Sequence, residues 1–313
     1  MDFTSRMVAL LGELRRERNG AVADAMRCYG APYGLNYGVS LPTLRKLARA
    51  ETPDHDFARY LYLQEVRELR LAALHIARPE SLTPDEFPAW AAGIVNSEVA
   101  EEAAFAFLSR SAALPALFDA WIADPNPLLR YAALHSAARS DLLTAAWIAP
   151  AVEAVRRAAV CAAETLGEPV AEPAPAGAVG DPIAESSVTT IGESVTAVTE
   201  PVARSAAAPA PAGCSAEIAA EPAPAGCFAE SAAGAGVNPV PVCAAESLSK
   251  PAAAPLSASS AARLIAQGAV ALLSAVGGLN EENRQAVLRA AGSLGKLPAE
   301  DYVHEELTWR LEA

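Results

Sequence analysis

Aromatic residues are scarce in this chain, 6% of 313, and positive charge is in deficit, with 24 Lys and Arg against 37 Asp and Glu. The deficit excludes a strongly basic nucleic-acid protein, because neutralising phosphates needs clustered cations. It leaves room for a local basic groove. Cations against acids number 17 to 20 over residues 1–166, 2 to 10 over 167–260 and 5 to 7 over 261–313, so most of the acidity is central. The five cysteines, Cys28, Cys161, Cys214, Cys227 and Cys243, include no CxxC pair and none stands near a histidine at metal-ligand spacing. They are therefore expected to be reduced, with no metal and no cofactor. No early apolar run resembles a signal peptide, since Arg15, Arg16 and Arg18 interrupt the first helical segment. No run of about 20 strongly apolar, uncharged residues is evident, so no membrane partner is expected, and the expected compartment is the cytoplasm.

What is present divides into three regions. Residues 1–167 carry apolar residues at three- and four-residue spacing, as in Phe3–Leu14, Leu69–Ile76, Leu114–Ile122 and Leu128–Leu134. Helix starts are marked by Ser40-Leu-Pro-Thr and by the capping box Thr83-Pro-Asp-Glu. No alternating strand pattern competes. Residues 168–258 hold 13 of the 24 prolines and Phe228 as their only aromatic, with EPAPAG at 172–177 and 221–226 and APAPAG at 208–213. That composition lacks the apolar bulk to offset ordering entropy and predicts a long disordered, low-complexity insert. Residues 259–313 return to helix, and three helices alone make too thin a core to stand apart. They are expected to complete the array begun by residues 1–167.

The strongest internal signal is a phrase used twice. RELRLAALHIAR at 67–78 and LLRYAALHSAAR at 128–139 align Arg70 with Arg130, His75 with His135, and one Ala-Ala pair with the other. Glu101 and Arg156 occupy the same frame, giving marker positions 70, 101, 130 and 156 at spacings of 31, 29 and 26. Periods of this length mean stacked units that cannot bury their apolar faces singly. The expected fold is all-α, a HEAT-like α-solenoid of helical hairpins with Ala-Ala pairs at the close approaches. In such an array Arg70, Arg130 and Arg156 fall in a row along a groove. Two roles are open to them, tying helix ends or meeting a polyanion. His75 and His135 read as packed or groove-wall residues.

Within residues 26–45, MRCYGAPYGLNYGVSLPTLR resembles the N-terminal signature of the DNA alkylation repair family, the HEAT-like repeat alkylpurine DNA glycosylases. The shared skeleton is Met26, Tyr29 and Gly38-Val-x-x-Pro-x-x-Arg45. The stretch from Trp121 to Ala133 is similar to a second family segment. The resemblance implies duplex DNA as partner and removal of positively charged alkylated purines. It implies tryptophans against the DNA, an aspartate supporting the sugar cation, and an arginine on the backbone. Tyr29 stands at the family's DNA-facing tyrosine and Tyr131 at its arginine. Val99 and Ala103 stand at the tryptophan and the aspartate; Glu98, Glu101 or Glu102 could substitute only with a different helix register, and Glu101 and Glu102 are taken as the candidate catalytic carboxylates. Arg70, Arg130, Tyr131 and Arg156 join Tyr29 as the candidate nucleic-acid contacts. With those replacements glycosylase activity is in doubt, and a non-enzymatic helical scaffold for a protein partner is the competing expectation.

Overall fold

In the computed structural model, the residues described are 2–28, 33–167 and 256–312. The expected insert at 168–258 lies outside them up to residue 255, and so does Tyr29. Thirteen α-helices and no strand are found among the described residues, with a single parallel β-bridge between Leu35 and Val66. The all-helical expectation holds.

In chain order the helices are α1 (Phe3–Arg16), α2 (Gly20–Cys28), α3 (Leu41–Ala50), α4 (His55–Tyr62), α5 (Arg67–Ile76), α6 (Phe87–Ala92) and α7 (Ser97–Ala106). They continue with α8 (Leu114–Ile122), α9 (Pro127–Ala138), α10 (Ile148–Leu166), α11 (Ala258–Gly277), α12 (Glu281–Gly292) and α13 (Pro298–Glu312). Starts follow the sequence cues. Ser40 accepts from the Thr43 amide at 3.4 Å, Asn96 from Val99 at 3.0 Å and Asn126 from Leu128 at 3.0 Å, each filling an otherwise unmet helix N–H. Gly167, at φ +73°, ends α10.

Helices α3, α5, α7, α9 and α11 pack successively, each on the next, while α4 pairs with α5 and α8 with α9 as hairpins. The repeated phrase explains the spacing of that row. Ala72, Ala73, Ala103, Ala104, Ala132 and Ala133 are all buried at the contacts, where a larger side chain would push helix axes apart. Gly268 of α11 serves the same end, since a Cβ there would come within 3.0 Å of Leu134 on α9.

The fourth marker departs from the expected register. Arg156 lies on α10, which packs against α11, and it is α11 that follows α9 in the row. The repeat frame therefore holds for α5, α7 and α9 and stops there. The physical reason is that α10 runs 19 residues from a 3-10 turn at Ala145–Trp147 and buries its own alternate face through Val152, Val155 and Ala159.

Helix α11 has 20 residues and one charge, Arg263, and is long and apolar enough to cross a membrane by length and composition alone. The sequence reading overlooked it. Here its apolar residues Ile265, Val270, Leu272, Leu273 and Val276 are buried against α9, α10, α12 and α13.

Candidate nucleic-acid interface

The signature stretch folds into the entry of α3. Gly38 sits at φ +71° with a would-be Cβ 2.1 Å from the Asn19 carbonyl oxygen, so only glycine fits. The Glu68 carboxylate accepts from the backbone amides of Tyr37 (3.1 Å) and Val39 (3.3 Å). Arg67, fully buried, donates to the Val39 carbonyl at 2.9 Å and to Glu68 at 3.1 Å. The same guanidinium reaches Glu98 on α7, with Nε at 2.9 Å, and the Tyr33 hydroxyl also donates to Glu98. A buried guanidinium with acceptors on all sides thus fixes both the signature loop and the first turn of α7. Burial, reinforced by the Glu98 carboxylate, pushes the Tyr33 phenol far above its ordinary range.

Helix α7 then presents Glu98, Glu101, Glu102 and Phe105 at positions i, i+3, i+4 and i+7, one helical face. With Arg45 of α3 and Arg139 after α9 they line a cavity of about 300 Å³. Each carboxylate has a different environment. Glu102 is buried, accepts from Arg45 Nε at 2.8 Å and Nη2 at 2.6 Å, and is bonded to His75 Nε2. Burial alone would push its carboxyl up, but the hydrogen bonds from Arg45 and His75 and their charges outweigh it and hold the pKa at about 2. Glu101 is exposed, and Oε1 accepts from the Tyr131 hydroxyl at 2.8 Å, while Oε2 has no partner among the described residues. Burial, then the bond to Glu101, raises the Tyr131 phenol well above its usual value. Phe105 is 45% exposed and carries the Arg45 guanidinium 4.7 Å from its ring centroid.

The two carboxylates expected to serve chemistry therefore separate. Glu102 is clamped by a permanent cation and has no face left for a substrate, which corrects its assignment as a catalytic group. Glu101 keeps a free oxygen at the cavity. The residues aligned with the family's tryptophan and aspartate, Val99 and Ala103, are in the core at 0% and 1% exposure. A tryptophan or a charged aspartate would not fit at those two positions as this chain packs them.

The arginine row is corrected as well. Arg70 is buried and donates to the Tyr62 and Gln64 carbonyls at 3.4 and 3.3 Å, closing the C-terminal end of α4. Arg130 donates to the Pro125 carbonyl at 3.1 Å, and burial, aided by Arg157, lowers its pKa. Arg156 donates to the Ser293 carbonyl at 2.9 Å and hydroxyl at 2.7 Å, tying α10 to the end of α12. Arg70 and Arg156 tie helix ends, because carbonyls left over at a helix C-terminus attract whatever cation is nearest, and Arg130 holds the turn between α8 and α9. Of the two roles, tying is the one seen among the described residues. Tyr131 is joined to Glu101, and Tyr29 lies outside the described residues. His75 and His135 are packed groups: His135 Nδ1 accepts from Arg139 Nη1 at 2.6 Å, and burial, then Arg139, lowers its pKa to about 4.

Sequence reasoning did not take Arg45, Phe105 or Arg139 as site residues. A signal for Arg45 was present, since it ends the signature skeleton, but its reach of 57 positions to Glu102 is a tertiary fact. Among the described residues no group of three or more His, Cys, Asp or Glu is placed to hold a metal ion, and Cys28 and Cys161 are free and exposed.

Residues 10–140, the stretch that contains α3, α7 and α9, match the family described as DNA alkylation repair enzyme. No curated protein matches the chain. A solved structure described as a new family of proteins related to the HEAT-like repeat DNA glycosylases with affinity for branched DNA structures superposes at a TM-score of 0.43 and 20% identity. It covers 51% of this chain and 68% of that one. A likeness at that level gives no residue correspondence. The signature skeleton lies within the match from residue 10 to residue 140, so this segment is similar to the DNA alkylation repair family.

Proposed function

We propose that the chain binds duplex DNA on the face shared by α3 and α7, and that Glu101 and Phe105 there meet a purine carrying positive charge. The observation that carries this is Glu101: an exposed carboxylate, oriented through one oxygen by Tyr131, with its other oxygen free beside an exposed aromatic ring. A carboxylate and a ring face are the two side-chain types that favour a cation over a neutral base. Most of the surrounding charge is offset: Glu68, Glu98, Glu101 and Glu102 face Arg45, Arg67 and Arg139, four against three, so the cavity repels a phosphate chain less than bare carboxylates would. The family match over residues 10–140 supports the same partner.

The test is duplex binding measured by fluorescence anisotropy, with and without one 7-methylguanine, alongside chromatography for released base. A surface ion pair and a cation–π contact contribute about 0.5–1 kcal/mol each, so the lesion duplex should bind about 5- to 30-fold tighter. That preference should vanish in Glu101→Gln and fall in Phe105→Ala. Equal affinity for both duplexes overturns the assignment of Glu101. The burial of Val99 and Ala103 favours a second reading, a helical scaffold for a protein partner, and absence of any duplex binding at low salt would select it.

A further inference from the structure

With Arg70, Arg130 and Arg156 committed to backbone carbonyls, the DNA-binding reading lacks a phosphate contact, and the distribution of ion pairs points to one. Several exposed arginines are matched with a carboxylate one turn away: Arg16 with Glu13, Arg27 with Asp24, Arg59 with Asp56, Arg284 with Glu281, Arg310 with Glu306. Others, such as Arg18, Arg110, Arg263 and Arg289, are exposed without an ion pair but stand singly. Helix α3, LPTLRKLARA, differs by gathering its cations on one helix. It carries Arg45, Lys46 and Arg49 with no carboxylate of its own, the only described helix with three cations and no acid. Lys46 and Arg49 are exposed and have no partner among the described residues.

Like charges three and four positions apart on a helix repel, and an acid at one of the intervening exposed positions would relieve the strain. In a chain with 37 acidic residues none is placed there. Arg49 is in the last turn, where the helix dipole favours a cation, but Lys46 is not. The three cations line an open hollow of about 590 Å³ with Pro42. Arg45 belongs to this hollow and also to the Glu101 cavity, so the two adjoin at its side chain. Residues 1–50 as a whole hold eight cations and four acids, a surplus of four in a chain whose net charge is −13.

We infer that the solvent face of α3, through Lys46 and Arg49 and the open edge of Arg45, is the track for a phosphodiester backbone. It delivers the duplex to the Glu101 cavity next to it. This rests on the DNA-binding reading above and adds the surface that holds the backbone. Arg45 has a double role: Glu102 fixes its Nε and Nη2, and Nη1 is left without a protein partner. Backbone contacts made by these side chains are sequence-independent and salt-sensitive, since each neutralised phosphate releases a counterion.

The experiment compares the full chain with Lys46→Gln/Arg49→Gln for affinity to an unmodified duplex across salt concentrations. Arg16→Gln/Arg27→Gln serves as a charge-matched control whose cations are already paired. Far-UV thermal unfolding verifies that the exposed substitutions leave the fold intact. Losing two phosphate contacts should flatten the slope of log K against log salt by about 2, from roughly 0.9 per phosphate, with a smaller change in the control. Wild-type binding with an unchanged slope in the α3 variant overturns the track and leaves the DNA reading standing. Equal flattening in variant and control also overturns it, because the effect is then net charge alone. Wild-type protein that binds no duplex at low salt overturns the reading itself, and the track with it.

Discussion

The clamp on Glu102 makes a prediction with a sign, a window and a size. Its carboxyl sits at about 2 in the fold against 4.5 when free, held down by Arg45 and His75 against the opposing effect of burial. A carboxylate with a lowered folded-state pKa adds stability above its unfolded pKa, and that stability is lost as pH falls toward the folded value. The window is therefore pH 4.5 down to about 2. At about 1.4 kcal/mol per pH unit the full difference is about 3 kcal/mol. Arg45 has a side chain 32% open to solvent, which screens the pair, so the expected contribution is about 2 kcal/mol. Urea denaturation of wild type and Glu102→Gln at pH 7, 4 and 3 reads it directly. The variant should be about 2 kcal/mol less stable at pH 7, and the gap should close as pH drops through the window. A double-mutant cycle with Arg45→Gln should return a coupling of the same order. A gap that stays constant with pH, or a coupling near zero, would show that the loss is one of packing and not of charge.

Other consequences follow from the same geometry. Arg67→Met leaves Glu68 and Glu98 facing one another without their shared cation and should cost about 3–5 kcal/mol in denaturant unfolding, so a loss under about 1 kcal/mol contradicts the buried-clamp account. Gly38→Ala imposes a Cβ on the Asn19 carbonyl and a disfavoured φ, and should lower stability by more than about 1 kcal/mol, whereas Gly12→Ala, with nothing near, should be neutral or stabilising. His135 is held neutral by burial, with a pKa near 4 against 6.5 when free, so stability should fall as pH goes from about 6.5 to 4. His135→Asn should remove that part of the acid sensitivity, by about 1 kcal/mol at pH 5 in paired unfolding curves, and an unchanged acid limb would refute it.

Reading the chain against its fold shows a division between local and distant information. The helices were legible because their causes are local: apolar spacing over 69–76 and 128–134, Ser40 before Pro42, proline opening α9 at Pro127. The stacking of α5, α7 and α9 was legible too, because a repeat is a distant contact written twice in the same words. The site was only half legible. Glu101 and Tyr131 each stood out, Glu101 from the repeat and Tyr131 from the family alignment, yet nothing in the text paired them across 30 positions. The row of arginines was visible, but its direction was not, since the same residue can face carbonyls or phosphate.

By itself, then, the sequence determined that the described chain is helical, that three of its helices repeat a packing frame, and that the segment from 10 to 140 carries an alkylation-repair signature. The tertiary structure alone decided which charges cancel. Arg45 meets Glu102, Arg67 meets Glu98, and Arg70 and Arg130 meet carbonyls, so what remains open is Glu101 and the face of α3. The reason is physical: helix propensity and periodicity act over one or two turns, whereas the worth of a charge depends on whatever stands within about 4 Å of it, and that neighbour comes from elsewhere in the chain.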